Sequence, residues 1–188
     1  MAETKPAGPP PTQSKLHEAA LAHLARYGTT EAGLVRVLDR RVDRWARLTE
    51  DPDSSTIAAC KRAVRVVAAR MVELGLINDA VFAENRARTL TRAGRSRRAV
   101  AAHLGARGVD GDLVEQALPD DPDAEFAACV AFTKRRRIGA FRRPEREEDR
   151  PREMAMLARA GFSHEIARKA LAMEPDEAEE LVIQLKQS

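Results

Sequence analysis

AAHLGARGVDGDLVEQAL, residues 101–118, decides the fold class. Leu104 closes an apolar helical face, and Gly108 stands where a helix stops in the left-handed conformation that side chains resist. Val109 is the apolar residue that follows such a stop. Asp110 is a cap for the next helix, whose face is Leu113, Val114, Ala117 and Leu118. The same order returns 53 positions later in Leu157, Gly161, Phe162, Ser163, Ile166, Ala170 and Leu171. Upstream, Leu16, Leu24, Gly28, Thr30, Leu34 and Leu38 have counterparts 66 positions on in Phe82, Leu90, Gly94, Ser96, Val100 and Leu104. Repetition of face, glycine stop and cap predicts tandem helical units that bury their faces on their neighbours.

Working outward, the spacing predicts a first helix capped by Ser14, running through Leu16, Ala20 and Leu24 to Tyr27 and stopped by Gly28. Thr29 or Thr30 opens the second, and the polar stretch 49–55 breaks it. Val64, Val67, Ala68, Met71 and Leu74 face one way along the third, which ends on Gly75 with Leu76 as its apolar follower. Asn78 or Asp79, Ser96, Asp110, Asp121-Pro122, Ser163 and Pro175 open the later helices. Val67, Ala68, Met71 and Val72 stand 46 positions before Leu113, Val114, Ala117 and Leu118, so the first unit carries 20 extra residues, around 42–55. Phe126-Ala127 follows Phe82-Ala83 at a distance of 44, which drifts to 53, placing about nine further residues around 138–150. The predicted organisation is a disordered Pro-rich tail (1–14), three units (15–77, 78–120 and 121–174) and an acidic C-terminal helix (175–188). Three tandem three-helix repeats would form an all-α, elongated, curved, solenoid-like body.

Composition agrees with helix. The chain has 188 residues, 44% hydrophobic and 32% charged but only 4% aromatic. Ala, Leu, Arg and Glu lose little rotamer freedom in a helix, and a β-sandwich or barrel is disfavoured. Cys60 and Cys129 are too few for a disulfide framework, lack zinc spacing, and read as buried apolar-like residues. No apolar run approaches the ~20 residues that span a bilayer, and residues 1–14 have no signal-like apolar core. A soluble, cytoplasmic protein without membrane contact is expected.

The net charge of +3 hides segregation. Between Asn85 and Val109 there is no Asp or Glu, yet the stretch holds Arg86, Arg88, Arg92, Arg95, Arg97, Arg98 and Arg107. A second basic run is Lys134, Arg135, Arg136 and Arg137, followed by Arg142 and Arg143. Acid collects at 120–123, 145–149 and 176–180. Such segregation creates a local field even at small total charge. These twelve cations, without Arg107, are the candidate partner surface, with Arg92, Arg97 and Arg98 foremost. The competing reading is a solvated helix face paired within the chain. Arg88, Arg92 and Arg95 share one face if their helix continues through Gly94.

The ordered residues resemble the RecX family, regulators of the RecA recombinase. The resemblance is carried by Leu34 to Leu38 with Arg40-Arg41-Val42, by Met71 to Asp79 running into Phe82-Ala83, and by Gly94-Arg95-Ser96 to Leu104. It continues through Arg107-Gly108-Val109, Ala117-Leu118, Arg135 to Phe141 and Arg159 to Phe162, covering roughly 16–173. Val42 departs from the pattern, standing where many members have glycine. The resemblance implies a non-catalytic protein that lodges in the groove of the RecA–DNA filament and inhibits its ATPase, strand-exchange and co-protease activities. It places the chain in recombination and the SOS response, with contact to single- or double-stranded DNA through phosphates also implied. A monomer without cofactor is expected.

Two other classes compete with this one. Residues 100–118 have a helix-turn-helix outline, which would suit a DNA-binding transcriptional regulator. Base readout needs Arg, Lys, Asn or Gln on the second helix. That helix offers Asp110, Asp112, Glu115 and Gln116 and no cation, whereas its counterpart offers His164, Arg168 and Lys169. An enzyme is disfavoured. No phosphate-cradling glycine loop exists, and His17, His23, His103 and His164 are scattered and read as surface or structural residues. Aromatics are too few among the arginines for a stacking platform. Trp45 and Phe141 fall in the insertions, where exposure to a partner and core packing are both open.

Overall fold

The computed structural model describes residues 8–187, all of whose regular structure is helical. The helices are α1 (Gln13–Leu24), α2 (Glu31–Leu48), α3 (Ser54–Glu73), α4 (Asp79–Arg92), α5 (Arg97–Arg107), α6 (Gly111–Ala117), α7 (Pro122–Arg136), α8 (Arg150–Ala160), α9 (His164–Leu171) and α10 (Pro175–Gln187). A single 3₁₀ turn, Gly139–Phe141, follows α7. The chain divides into two compact groups, residues 8–82 with Arg107–Val109, and Ala83–Ala106 with 110–187.

In the first group α1, α2 and α3 close on Leu16, Leu34, Leu38, Val42, Val64, Val67 and Met71, all fully buried. The 20 extra residues are not a loop. α2 has 18 residues against 11 in α5, and α3 has 20 against 7 in α6, so nearly all of the insertion extends two packed helices. Val42 sits inside α2 as a core residue because the helix continues past the point where a shorter unit would turn. Asp53 restarts the chain by accepting from the N–H groups of Ser55 and Thr56, as a cap should. The hydroxyls of Ser55 and Thr56, helped by these N–H groups, hold the Asp53 carboxyl down at about 2.

Two boundaries differ from the sequence reading. α1 is capped by Thr12, which accepts from Lys15 N at 3.3 Å, so helix begins before Ser14. Of the expected tail, residues 1–7 lie outside the described residues. Gly8 accepts from Trp45 Nε1 at 2.8 Å and Pro11 from the Cys60 thiol, fixing the chain ahead of α1. Gly28 does not adopt the left-handed conformation, and α1 ends four residues earlier. Gly75, Gly94, Gly108 and Gly161 do adopt it. At Gly75, Gly94 and Gly161 two N–H groups reach back to the last carbonyls, as in Gly94 N to Thr91 O and Arg95 N to Leu90 O. The apolar residue buried after Gly75 is Ile77, while Leu76 is exposed.

The second group is built around α7, whose residues Ala127 to Thr133 are all buried. Against it pack α9, α10 and the 3₁₀ turn. The acidic helix α10 therefore contributes to the core, through Ala178, Val182 and Leu185. Phe132 meets Phe162 edge-on at 5.8 Å, and Phe141 packs on the same core. Ser96 caps α5 through Ala99 N and donates to Ala160 O at 2.6 Å, joining the start of α5 to the end of α8.

Glu153 is 3% exposed and receives both Nε and Nη2 of Arg142, at 3.1 and 2.9 Å. Arg142 also lies 3.7 Å from Glu148. This fork ties the segment 138–150 to α8. Glu153→Ala leaves a mostly buried guanidinium without its main partner and is expected to cost about 2 kcal/mol, read as a lower urea midpoint. An unchanged midpoint would show that the pair adds nothing to folding.

Cys129 is fully buried, and burial with the nearby Glu125 charge pushes its thiol up to about 12. At pH 8 roughly one thiol in ten thousand would be ionised. Iodoacetamide should leave Cys129 unlabelled in the native protein and label it in urea; rapid native labelling would contradict the burial.

Candidate arginine-lined partner surface

The last turn of α7 carries Lys134, Arg135 and Arg136, where positive side chains oppose the partial negative charge of the helix end. Arg137 ends the helix in the left-handed conformation, φ 56°, and turns the chain at that point. The guanidinium groups of Arg135 and Arg136 lie 5.2 and 5.3 Å from the Phe132 ring centroid. Arg135 Nη1 donates to Ala93 O at 2.9 Å, in the turn after α4. That turn delivers Arg95, and α8 delivers Arg159. Together they line a hollow of about 450 Å³ with Arg135 and Arg136 over Phe132 and Met156.

No carboxylate of the described residues forms an ion pair with Arg95, Arg135, Arg136 or Arg159. Burial, then repulsion by Arg136 and Arg95, lowers the Arg135 pKa, the response of a cation gathered among cations. Arg136 also borders a neighbouring hollow of about 450 Å³ lined by Arg137, Arg143, Arg146 and Glu145. The two hollows thus share one arginine and form a basic surface, with one carboxylate at its edge.

The other expected residues are placed differently. α4 ends at Arg92 and Gly94 turns at φ 74°, so Arg95 leaves the face that holds Arg88 and Arg92. Arg88 and Arg92 instead line a cleft of about 470 Å³ with Arg97, alongside Glu84, Asp121 and Glu125. Arg97 is engaged there: its backbone N–H donates to Glu125 at 2.7 Å and its Nε to Leu118 O at 3.0 Å. Arg92 Nε is buried with no hydrogen-bond partner among the described residues. Burial raises the Glu125 pKa, partly opposed by Arg97. Arg86 Nε donates to His103 at 3.1 Å, and Arg98 is exposed beside Gly161. Lys134 is held by Glu179 at 2.5 Å and lies over the Phe141 ring, while Arg142 is held by Glu153.

Sequence reasoning passed over Arg146 and Arg159 as site residues. The second had a signal, because Arg-Ala-Gly at 159–161 repeats Arg-Ala-Gly at 92–94 at the same glycine stop. Among the described residues no group of three or more His, Cys, Asp or Glu could hold a metal ion, and no helix is long and apolar enough to cross a membrane.

Comparison with known proteins gives one consistent result. The family model for RecX, second three-helix domain, matches residues 78–118. The regulatory protein RecX of Myxococcus xanthus (strain DK1622) is 37% identical over 164 residues, 85% of this chain and 86% of that protein. That of Thermobifida fusca (strain YX) is 37% identical over 155 residues, covering 81% and 82%. The crystal structure of a regulatory protein RecX matches with a TM-score of 0.60 at 19% identity, over 84% of this chain and 70% of that one. RecX from Lactobacillus salivarius matches at 0.56 and 21% identity, over 89% and 97%. At such identities the two structures testify to a shared fold. The near full-length relatives go further: this chain belongs to the RecX family of regulatory proteins.

Proposed function

We propose that the protein regulates the RecA recombinase without catalysis, by binding the RecA–DNA filament and inhibiting its ATPase, strand-exchange and co-protease activities. The observation that carries this reading, beside family membership, is the uncompensated arginine surface at Arg95, Arg135, Arg136 and Arg159. Guanidinium forks match carboxylates and phosphates, which a nucleoprotein filament offers together. Three tandem three-helix units would contact several recombinase subunits at once, raising avidity without any single strong site. The protein would act in the cytoplasm as a monomer, and its contact with DNA would be to phosphates rather than to base edges.

Titration of the full chain into RecA, single-stranded DNA and ATP tests this. ATP hydrolysis and strand exchange should both fall as the protein is added, and the protein should co-sediment with assembled filaments. Unchanged hydrolysis and exchange over a broad excess would overturn the reading.

A further inference from the structure

A second arginine cluster lies in the first group of helices and shares no residue with the surface described above. Arg36 and Arg40 stand one turn apart on α2, and Arg107 ends α5. With His23, Tyr27 and a floor that includes Gly28, Thr29 and Gly33, they line a cavity of about 370 Å³. None of its lining residues is acidic. None of the three arginines forms an ion pair with a described carboxylate. Arg36 is also fixed in place: its Nη2 donates at 2.8 Å to the Arg107 carbonyl, which Thr30 Oγ1 also reaches at 2.7 Å. One donor of the guanidinium is used this way, leaving the rest of the fork for a ligand. Holding like charges around a hollow is costly, and an anion in the hollow reverses that cost.

The rim narrows the choice of anion. Tyr27 is 60% exposed, the most exposed of the described large apolar and aromatic side chains, and its ring is tilted against His23 with centroids 5.2 Å apart. An exposed aromatic face beside guanidinium forks suits a planar base attached to a phosphate, because stacking accepts any base while the cations hold the backbone. A carboxylate side chain would use the arginines and leave the ring idle. We propose that the Arg36, Arg40 and Arg107 cavity binds a nucleotide unit, its phosphate on the arginines and its base against Tyr27. The unit could come from a single strand or from a free nucleoside triphosphate, which share this chemistry.

The test uses the full chain with a fluorescent oligothymidylate, ATP and polyglutamate as separate probes. Among the described residues Tyr27 and Arg40 make no tertiary hydrogen bond or ion pair, so Tyr27→Ala and Arg40→Glu should keep the wild-type circular dichroism and melting curve. Each is expected to weaken oligothymidylate binding about tenfold, with Tyr27→Phe close to wild type. An oligonucleotide carrying 5-iodouracil should crosslink to Tyr27, the sole tyrosine. Displacement of the strand by ATP would assign the cavity to free nucleotide, and failure of ATP to compete would assign it to strand; both support a nucleotide site. Binding indifferent to both substitutions, or crosslinks confined to 132–159, would overturn it while leaving the arginine surface of the second group untouched. Polyglutamate binding that depends on Arg40 and ignores Tyr27, with weak oligothymidylate binding, would overturn it in favour of an acidic protein segment.

Discussion

Gly94→Ala is expected to lower stability by about 3–4 kcal/mol, whereas Gly75→Ala should cost about 1–2 kcal/mol. Both glycines end a helix in the left-handed conformation, at φ 74° and 69°. Both therefore impose the same conformational cost on a side chain. They differ in what surrounds them. A Cβ on Gly94 would lie 2.6 Å from Phe132 N and 3.0 Å from Ala131 C, which are backbone atoms in the buried middle of α7. On Gly75 it would meet nothing within 4 Å. Backbone inside a packed helix yields far less readily than the tip of a side chain, so the Gly94 variant must displace the turn or α7 itself. Urea unfolding followed by circular dichroism measures both variants, and equal midpoint shifts would refute the close approach. The displacement should also disturb the arginine hollow, because Ala93 O holds Arg135 and Arg95 follows at the next position.

The contrast between those two glycines also marks how far sequence reaches. Caps and stops are local, so Asp110, Asp121 and Ser163 announce their helices and each caps as expected, while of Thr29 and Thr30 the second caps α2, and Asp53 caps α3 from within the polar stretch 49–55. What neighbours a stop is not local, and nothing in the residues around Gly94 reports α7. The first insertion was visible as a shift in register, but register counts residues without saying whether they extend a helix or loop out. Val42 and Cys60 inside the core answer that only once α2 and α3 are seen packed together. Gly28 had the right neighbours for a stop, yet α1 had already ended. The proposed face of Arg88, Arg92 and Arg95 required helix through Gly94, which the same glycine rule argued against.

Charge was legible in amount and not in balance. Lys134 and Glu179 are 45 positions apart, and Arg142 finds Glu153 only because the 138–150 segment folds back on α8. An acid-free run of sequence such as 85–109 is therefore no guide to which cations remain free. Arg97 lies inside it and is engaged, while Arg159 lies outside it and is not neutralised. Both outcomes are set by which helix ends converge, information that exists only in the packed chain.

That sorting predicts a sharp functional contrast. Reversing Arg95, Arg136 and Arg159 to Glu should weaken filament binding about a hundredfold or more, while the fold is kept, because none of the three makes a described ion pair and Arg95 and Arg136 are exposed. The magnitude follows from three charge-assisted contacts at about 1 kcal/mol or more each, with repulsion added by the new carboxylates. If the contacts are to phosphates, the slope of log affinity against log salt should also shrink by about three. Arg142→Ala is the opposite case. It removes a cation from the same basic run, yet its guanidinium is spent on Glu153, so the loss should appear in the urea midpoint and not in the affinity of the folded fraction. Sedimentation with assembled filaments at several salt concentrations, beside urea unfolding of each variant, separates the two effects. Full retention of binding by the triple reversal would remove this surface from the filament contact. Equal loss of affinity in Arg142→Ala would mean that the basic run acts by its summed charge rather than through the guanidinium groups that folding leaves unpaired.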